Sequence, residues 1–275
     1  MQLKLLSWPA KAIFAKKLML EILPEIKEFL EEKVIQYNRP AFIETDPIFV
    51  PHQYIQKEDI ELAAFLSATL AWGRRKLIIR SALRLLSLMD NAPFDFVVNH
   101  GPNDLKRLNT FVYRTFNGRD AVFFVKALRH IYMHHGGLEA VFTKHAGKTS
   151  VIPAIQHLNR VFSSIPHEQR SLKHVANPAK GSAAKRINMF LRWMVRRDNK
   201  GVDFGLWRSI SPAALSCPLD YHSGNVARKF GLLKRKTNDL KALMELDAVL
   251  RSMDSEDPVK YDFALFGLGV FESEK

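Results

Sequence analysis

Two ionisable residues sit where the backbone would sharpen their chemistry. Lys185 falls in the first turn of a strongly periodic run, shortly after a glycine, in Lys180-Gly181-Ser-Ala-Ala-Lys185-Arg186-Ile-Asn188. The free N–H groups and partial positive charge of a helix start favour a phosphate there. Asp220 stands in Leu219-Asp220-Tyr221-His222, directly before a second helical segment that Gly231 closes as a C-cap would. Its simplest task is to cap that helix. Placement at the mouths of consecutive helices predicts an amine and a carboxylate facing one cleft, about 4–8 Å apart. His222 either orients Asp220 or touches a phosphate, or else packs at the helix start.

The surroundings are basic. Residues 171–200 carry Lys173, Lys180, Lys185, Arg186, Arg192, Arg196, Arg197 and Lys200 against Asp198 alone. Residues 225–241 carry Arg228, Lys229, Lys234, Arg235, Lys236 and Lys241 against Asp239. These two runs hold nearly all of the chain's net charge of +13, and the pI is near 9.8. A basic run is often no more than a solvated face. Two such runs enclosing one aspartate point to a phosphate backbone, with nucleic acid favoured over a membrane. The segment from Glu245 to Lys275 is acidic, and is expected to face away from that partner.

The elements that must position these residues are helical. Apolar residues recur at helical spacing over 18–37, 59–72, 75–89, 122–133, 151–162, 183–195, 222–230 and 240–251. The segment 59–72 is apolar on nearly all sides and should lie at the centre of the protein. No stretch alternates as a half-buried strand does. The expected fold is all-α: one domain over 1–275, made of two helical lobes with a cleft between them. Pro, Gly, Ser and His collect at 91–103, 143–153 and 163–178, so the lobe boundary is expected within 143–178.

Other features carry less. One cysteine, Cys217, excludes a disulfide framework and any four-cysteine metal site. His134, His135 and His145 lack carboxylates at helical spacing, so no metal or organic cofactor is expected. Gly147-Lys148-Thr149 lacks the upstream glycine of a phosphate loop, Phe142 standing in its place. Trp193 and Trp207 are assigned to the core, and the aromatic run 261–266 to a packed helix. The longest apolar run, Leu62 to Trp72, is short of the roughly 20 residues a membrane span needs. Lys4, Lys11, Lys16 and Lys17 are followed by no clean apolar signal segment. A cytoplasmic, nucleoid-associated monomer is expected.

Gly181-x-x-x-Lys185-x-x-Asn188, followed by an aspartate in a Leu-Asp-x-His setting, resembles the core of the helix-hairpin-helix DNA glycosylases. The likeness is closest to their archaeal 8-oxoguanine branch. Glu61 to Trp72 resembles the early buried helix of that superfamily. The whole chain is also similar to a bacterial family of unknown function marked by Leu70-Ala-Trp-Gly-Arg-Arg75 and Pro258-Val-Lys-Tyr-Asp-Phe-Ala-Leu-Phe-Gly267. The glycosylase resemblance implies excision of a damaged base, an oxidised purine for example, from double-stranded DNA, with or without a β-lyase step. Lys185 would be the nucleophile, its pKa lowered by neighbouring Lys180 and Arg186. Asp220 would stabilise the oxocarbenium-like state. Lys180, Gly181, Arg186, Arg192, Arg196, Arg197, His222 and Arg228 would hold the DNA, and Ser67, Thr69 and Trp72 would line the lesion pocket. The chain departs from the pattern in keeping one hairpin glycine and in having Thr69 where some relatives place a glutamine. The competing expectation is a relative that binds DNA without cutting it.

This charge distribution generates a first prediction. Affinity for duplex DNA, followed by fluorescence anisotropy, falls with salt on a log–log slope of about −0.9 per phosphate neutralised. A flat dependence overturns backbone-led binding.

Overall fold

Apolar periodicity carries through to the architecture. The computed structural model describes the backbone of residues 8–272 and the side chains of residues 23–272; the lysines at 4, 11, 16 and 17 lie outside the described side chains. The chain is mostly helical. Among the described residues the one sheet is a two-residue antiparallel hairpin pairing Val112↔Asn117 and Tyr113↔Phe116.

Helix α2 (Lys57–Thr69) is buried from Ile60 to Thr69 and packs against α9 (Lys185–Val195). Ala63, Ala64 and Ala68 keep its surface narrow, so that neighbouring helices approach closely. Phe65 meets Phe190 edge-on and leans against Phe124 of α6 (Gly118–His134) and Phe162 of α8 (Ile152–Ser164). Such ring pairs add about 0.5–1.5 kcal/mol each beyond the area they bury. Glu61, buried in the same helix, is held by the Tyr132 hydroxyl and the Trp207 indole N–H, both at 2.7 Å. Trp193 and Trp207 are fully buried, as expected.

Buried side chains form two clusters, and they do not divide at 143–178. Leu128 and Phe142 before that stretch share the first cluster with Phe190 and Trp193 after it. The second cluster draws mostly on residues after 216, together with α1 (Trp8–Tyr37) and Ala183, while Val259 and Phe263 stay with the first. It joins α1 to α10 (Tyr221–Lys229), α11 (Leu240–Met253) and α12 (Tyr261–Gly267). Within 143–178, α8 and its flanking loops pack into the first cluster. Stretch 91–103, which reads as loop, contains α4 (Pro93–Asn99) and the start of α5 (Pro102–Leu108). Both prolines occupy the first helical position, where a missing N–H costs nothing. The remaining helices are α3 (Arg75–Ser87) and the short α7 (Gly137–Thr143). Among the described residues no helix is long and apolar enough to cross a membrane.

The charge pattern is corrected too. Arg192 and Arg196, expected on a phosphate-facing surface, are 3% and 2% exposed. Helix α9 turns both inward. Arg192 pairs with Asp203 and Asp262 and lies over the Phe263 ring. Arg196 reaches Asp198, Asp203 and Asp257 at 2.8–3.1 Å. Asp257 and Asp262 belong to the segment expected to form an outward acidic face, so part of the two opposite charge excesses is consumed inside the protein. Arg197 is exposed, as the charge pattern anticipates.

Arg196→Ala strands buried carboxylates, and breaking a buried pair costs about 3–5 kcal/mol. Urea denaturation should show a loss of that size, with the effect on stability rather than on duplex affinity. An unchanged unfolding midpoint refutes this internal role.

Candidate active site

The first turn of α9 is reached through a turn whose conformation the residues dictate. Gly181 lies at φ +85 and Ala184 at φ +49, the latter a left-handed conformation that a side chain adopts at some cost. Surrounding bonds hold it. The Leu240 N–H donates to the Gly181 carbonyl at 2.9 Å, Ser182 bridges Asp239, and the Asn188 amide donates to the Ala183 carbonyl at 2.9 Å. Lys185 therefore leaves the turn in a defined direction.

Asp220 caps α10 as the sequence suggests. Its Oδ1 accepts from the Ser223 N–H at 2.9 Å and from the Ser223 hydroxyl at 3.1 Å. Its own N–H donates to the Ser223 Oγ at 2.9 Å. Capping occupies Oδ1, whereas Oδ2 lies 3.6 Å from the Lys185 Nζ. The same carboxylate thus caps a helix and faces an amine. The separation is slightly shorter than the 4–8 Å expected, as the attraction of opposite charges favours. Neither side chain is fully buried.

Both line a cavity of about 1080 Å³, ample for one nucleotide-sized guest. The starts of α3, α9 and α10 all contribute to its wall. The α3 and α9 starts carry no side-chain cap, which leaves N–H donors and a partial positive charge facing the cavity. Lys173 and Lys180 are exposed at its edge, with Arg74 and Arg75 supplied by the Gly73 turn at φ +109. Deeper, Arg192 pairs with Asp262, and Asp46 accepts from the Ile48 N–H at 3.0 Å. Burial pushes both carboxyls up, Asp262 to about 6.

The expected site residues are distributed unevenly. Lys180, Arg186 and His222 line the cavity; Gly181 shapes its exposed turn. The His222 Nδ1 contacts the Gly269 carbonyl at 2.9 Å, so packing is part of its role. Arg186 donates to the carbonyls of Thr69 and His174 and lies 5.0 Å from the Trp72 ring; burial pulls its pKa down to about 10. Arg228 braces the loop after α10 through the Arg235 carbonyl and the Asn238 side chain. Arg196 is interior, and Arg192 belongs to the cavity floor. Ser67 and Thr69 are corrected: both are buried outside the cavity, the Ser67 hydroxyl donating to the Pro47 carbonyl at 3.0 Å. Their helix is enclosed on all sides, which leaves no face for a pocket. Trp72 does line the cavity. Sequence reasoning counted Lys173 only within a basic run and gave Arg74, Arg75 and Tyr221 no role, although the Gly73-Arg74-Arg75 triplet before a helical run was a usable signal. Among the described residues no three His, Cys, Asp or Glu side chains converge to hold a metal ion.

An all-helical protein with an amine–carboxylate pair set among helix starts is the class these features define. The chain belongs to the family described as protein of unknown function (DUF2400), whose model matches residues 46–271. That span contains every residue of the cavity wall except Phe42. No curated protein and no solved structure matches the chain.

Behind Trp72, His174 lies near-parallel to its ring and 3.5 Å from Asp120. Burial holds the imidazole down to about 4, with Arg186 and Lys173 adding to the effect against the pull of Asp120. As pH falls below 6.5 the unfolded chain takes up this proton first, so stability present above 6.5 is lost progressively towards 4. Asp120 acts in the same direction: burial alone would raise it, but Ser171, the Asn117 N–H and Arg170 outweigh that and hold it low. His157, also near 4 through burial, contributes too. His174→Gln should flatten part of the fall in thermal midpoint between pH 6.5 and 4; an unaltered slope refutes the neutral buried imidazole.

Proposed function

We propose that the protein is a DNA glycosylase, with a lyase step when Lys185 attacks the sugar. The observation that carries the proposal is the 3.6 Å approach of the Lys185 amine to the free oxygen of Asp220 in a nucleotide-sized cavity edged with cations. A base leaves the stack at a cost of a few kcal/mol, and Arg74, Lys173 and Lys180 hold the flanking phosphates. The sugar enters between amine and carboxylate. Asp220 Oδ2 stabilises the positive charge that develops as the glycosidic bond breaks. Lys185 gives up a proton, its nitrogen bonds to the anomeric carbon, and the base departs with the electrons of the glycosidic bond and takes up that proton; opening of the sugar ring then gives a Schiff base, and for the lyase step loss of a C2′ proton expels the 3′ phosphate. The two buried clusters both contribute to the cavity wall, through Ile78 and Met189 on one side and Ala183 and Leu219 on the other. This supports a two-lobed arrangement with its cleft at the site.

A DNA-binding protein without catalysis is the second reading, favoured by the capping bonds that give Asp220 a structural task of its own. One substitution separates the two. Asp220→Asn keeps the shape and the acceptor of the cap but removes the charge. Excision of a damaged base from duplex substrates should fall about 10²–10³-fold, with duplex affinity equal or tighter. Borohydride should trap wild-type protein on DNA and fail to trap Lys185→Gln. If wild-type protein excises no base across a panel of oxidised, alkylated and deaminated duplexes, the non-catalytic reading replaces this one.

A further inference from the structure

A flat guest needs a ring face, and the tryptophan in the cavity wall is already engaged. Trp72 carries the Arg186 guanidinium 5.0 Å from its ring and lies within 23° of parallel to His174, with centroids 5.7 Å apart. Tyr113 leans on it as well and donates its hydroxyl to the Trp72 carbonyl at 2.6 Å. Trp72 is held as wall.

Tyr221 is different. It follows Asp220 directly, lines the same cavity and is 72% exposed. Tyr37, Tyr132 and Tyr261 give their hydroxyls to glutamates, and Tyr113 gives its own to a carbonyl. Among the described residues the Tyr221 hydroxyl meets no such partner; Tyr54 shares that lack, but it is only half-exposed and lies outside the cavity. Its ring contact is with His222, nearly perpendicular at 85° and 5.6 Å between centroids, which engages at most one of its two faces. The backbone beneath is fixed. The Asp220–Ser223 box closes the turn, and His222 packs so closely on Gly269 that a Cβ there would lie 2.9 Å from the His222 Cβ. A lone exposed aromatic is unremarkable by itself. Here the bare ring stands on a rigid turn, next to the carboxylate and among cations that suit a nucleotide.

We propose that Tyr221 is the stacking residue for the nucleobase handled at Lys185 and Asp220. It is a positioning residue: its ring face holds the extruded base while Asp220 and Lys185 address the sugar. The inference rests on the excision reading, and its test stands apart from excision. The probe is a duplex carrying 2-aminopurine opposite an abasic site, a base whose fluorescence is quenched by stacking and bright when free. Tyr221→Phe should bind within about twofold of wild type and quench equally. Tyr221→Ala should bind about 10- to 100-fold more weakly, as loss of one base–aromatic stack implies, and leave the bound probe bright. The thermal midpoint should not move in either variant, because the side chain is exposed. Wild-type affinity and quenching in Tyr221→Ala overturn the stacking assignment, and the Asp220→Asn result still decides the excision reading. Absence of any binding of this duplex by the wild type overturns both.

Discussion

The cost of burying charge organises this protein. Arg192 in the last turn of α9 and Arg196 at its C-terminal cap enter the interior, and that is sustainable only because Asp203, Asp257 and Asp262 meet them there. Two of those carboxylates come from chain more than 60 residues later, just before and at the start of α12. The ion pairs therefore fasten the helix that begins at Lys185 to the element that backs the cavity. Without them the floor of the cavity, where Arg192 and Asp262 meet beside Asp46, would have no fixed shape. The network also settles where the positive charge goes. Its buried part serves architecture, and the cations left at the surface around the cavity are those of Arg74, Arg75, Lys173 and Lys180.

Asp220 illustrates how one carboxylate caps a helix and still faces an amine. A carboxylate has two oxygens, and the cap of α10 uses Oδ1. Capping fixes the direction of Oδ2, so the helix start becomes the device that aims the carboxylate at the amine. Lys185 is treated alike: its direction follows from a left-handed Ala184 that a bridge and two hydrogen bonds hold in place. Preorganisation of this kind is what electrostatic stabilisation of a transition state requires.

Legibility in the sequence followed the physics of each signal. Helices with a sustained apolar period, such as α2, α6, α8 and α9, were readable because one buried face repeats over several turns. The short α4 and α5 were not, since a proline reads as a break until its place at a first helical position is known. The helix starts at Lys185 and Asp220 were visible through local chemistry, a glycine turn in one case and a cap in the other. Arg192 and Arg196 misled because a count of charge along the chain ignores which residues a helix turns inward. Ser67 and Thr69 misled for the related reason that a fully enclosed helix turns its polar residues inward too, where the Ser67 hydroxyl finds the Pro47 carbonyl. Tyr221 gave no signal: exposure is a property of the folded surface, and periodicity reports only the buried side.

The short segment from Asn238 to Leu240 works as a clasp. The Asn238 side chain donates to the Asp220 carbonyl at 2.6 Å, Asp239 bridges Ser182, and the Leu240 N–H donates to Gly181. One tripeptide thus clasps both halves of the amine–carboxylate pair, and the gap between them is gauged by a single strut instead of two independent mounts. The loop leading into it, from Lys234 to Thr237, is exposed, and lengthening an exposed loop costs little entropy. Insertions and deletions between α10 and α11 are therefore absorbed ahead of Asn238, while a shift of even one residue within the clasp changes the spacing of the two groups. In this fold the loop's reach is free to vary, and how it ends is fixed by the clasp.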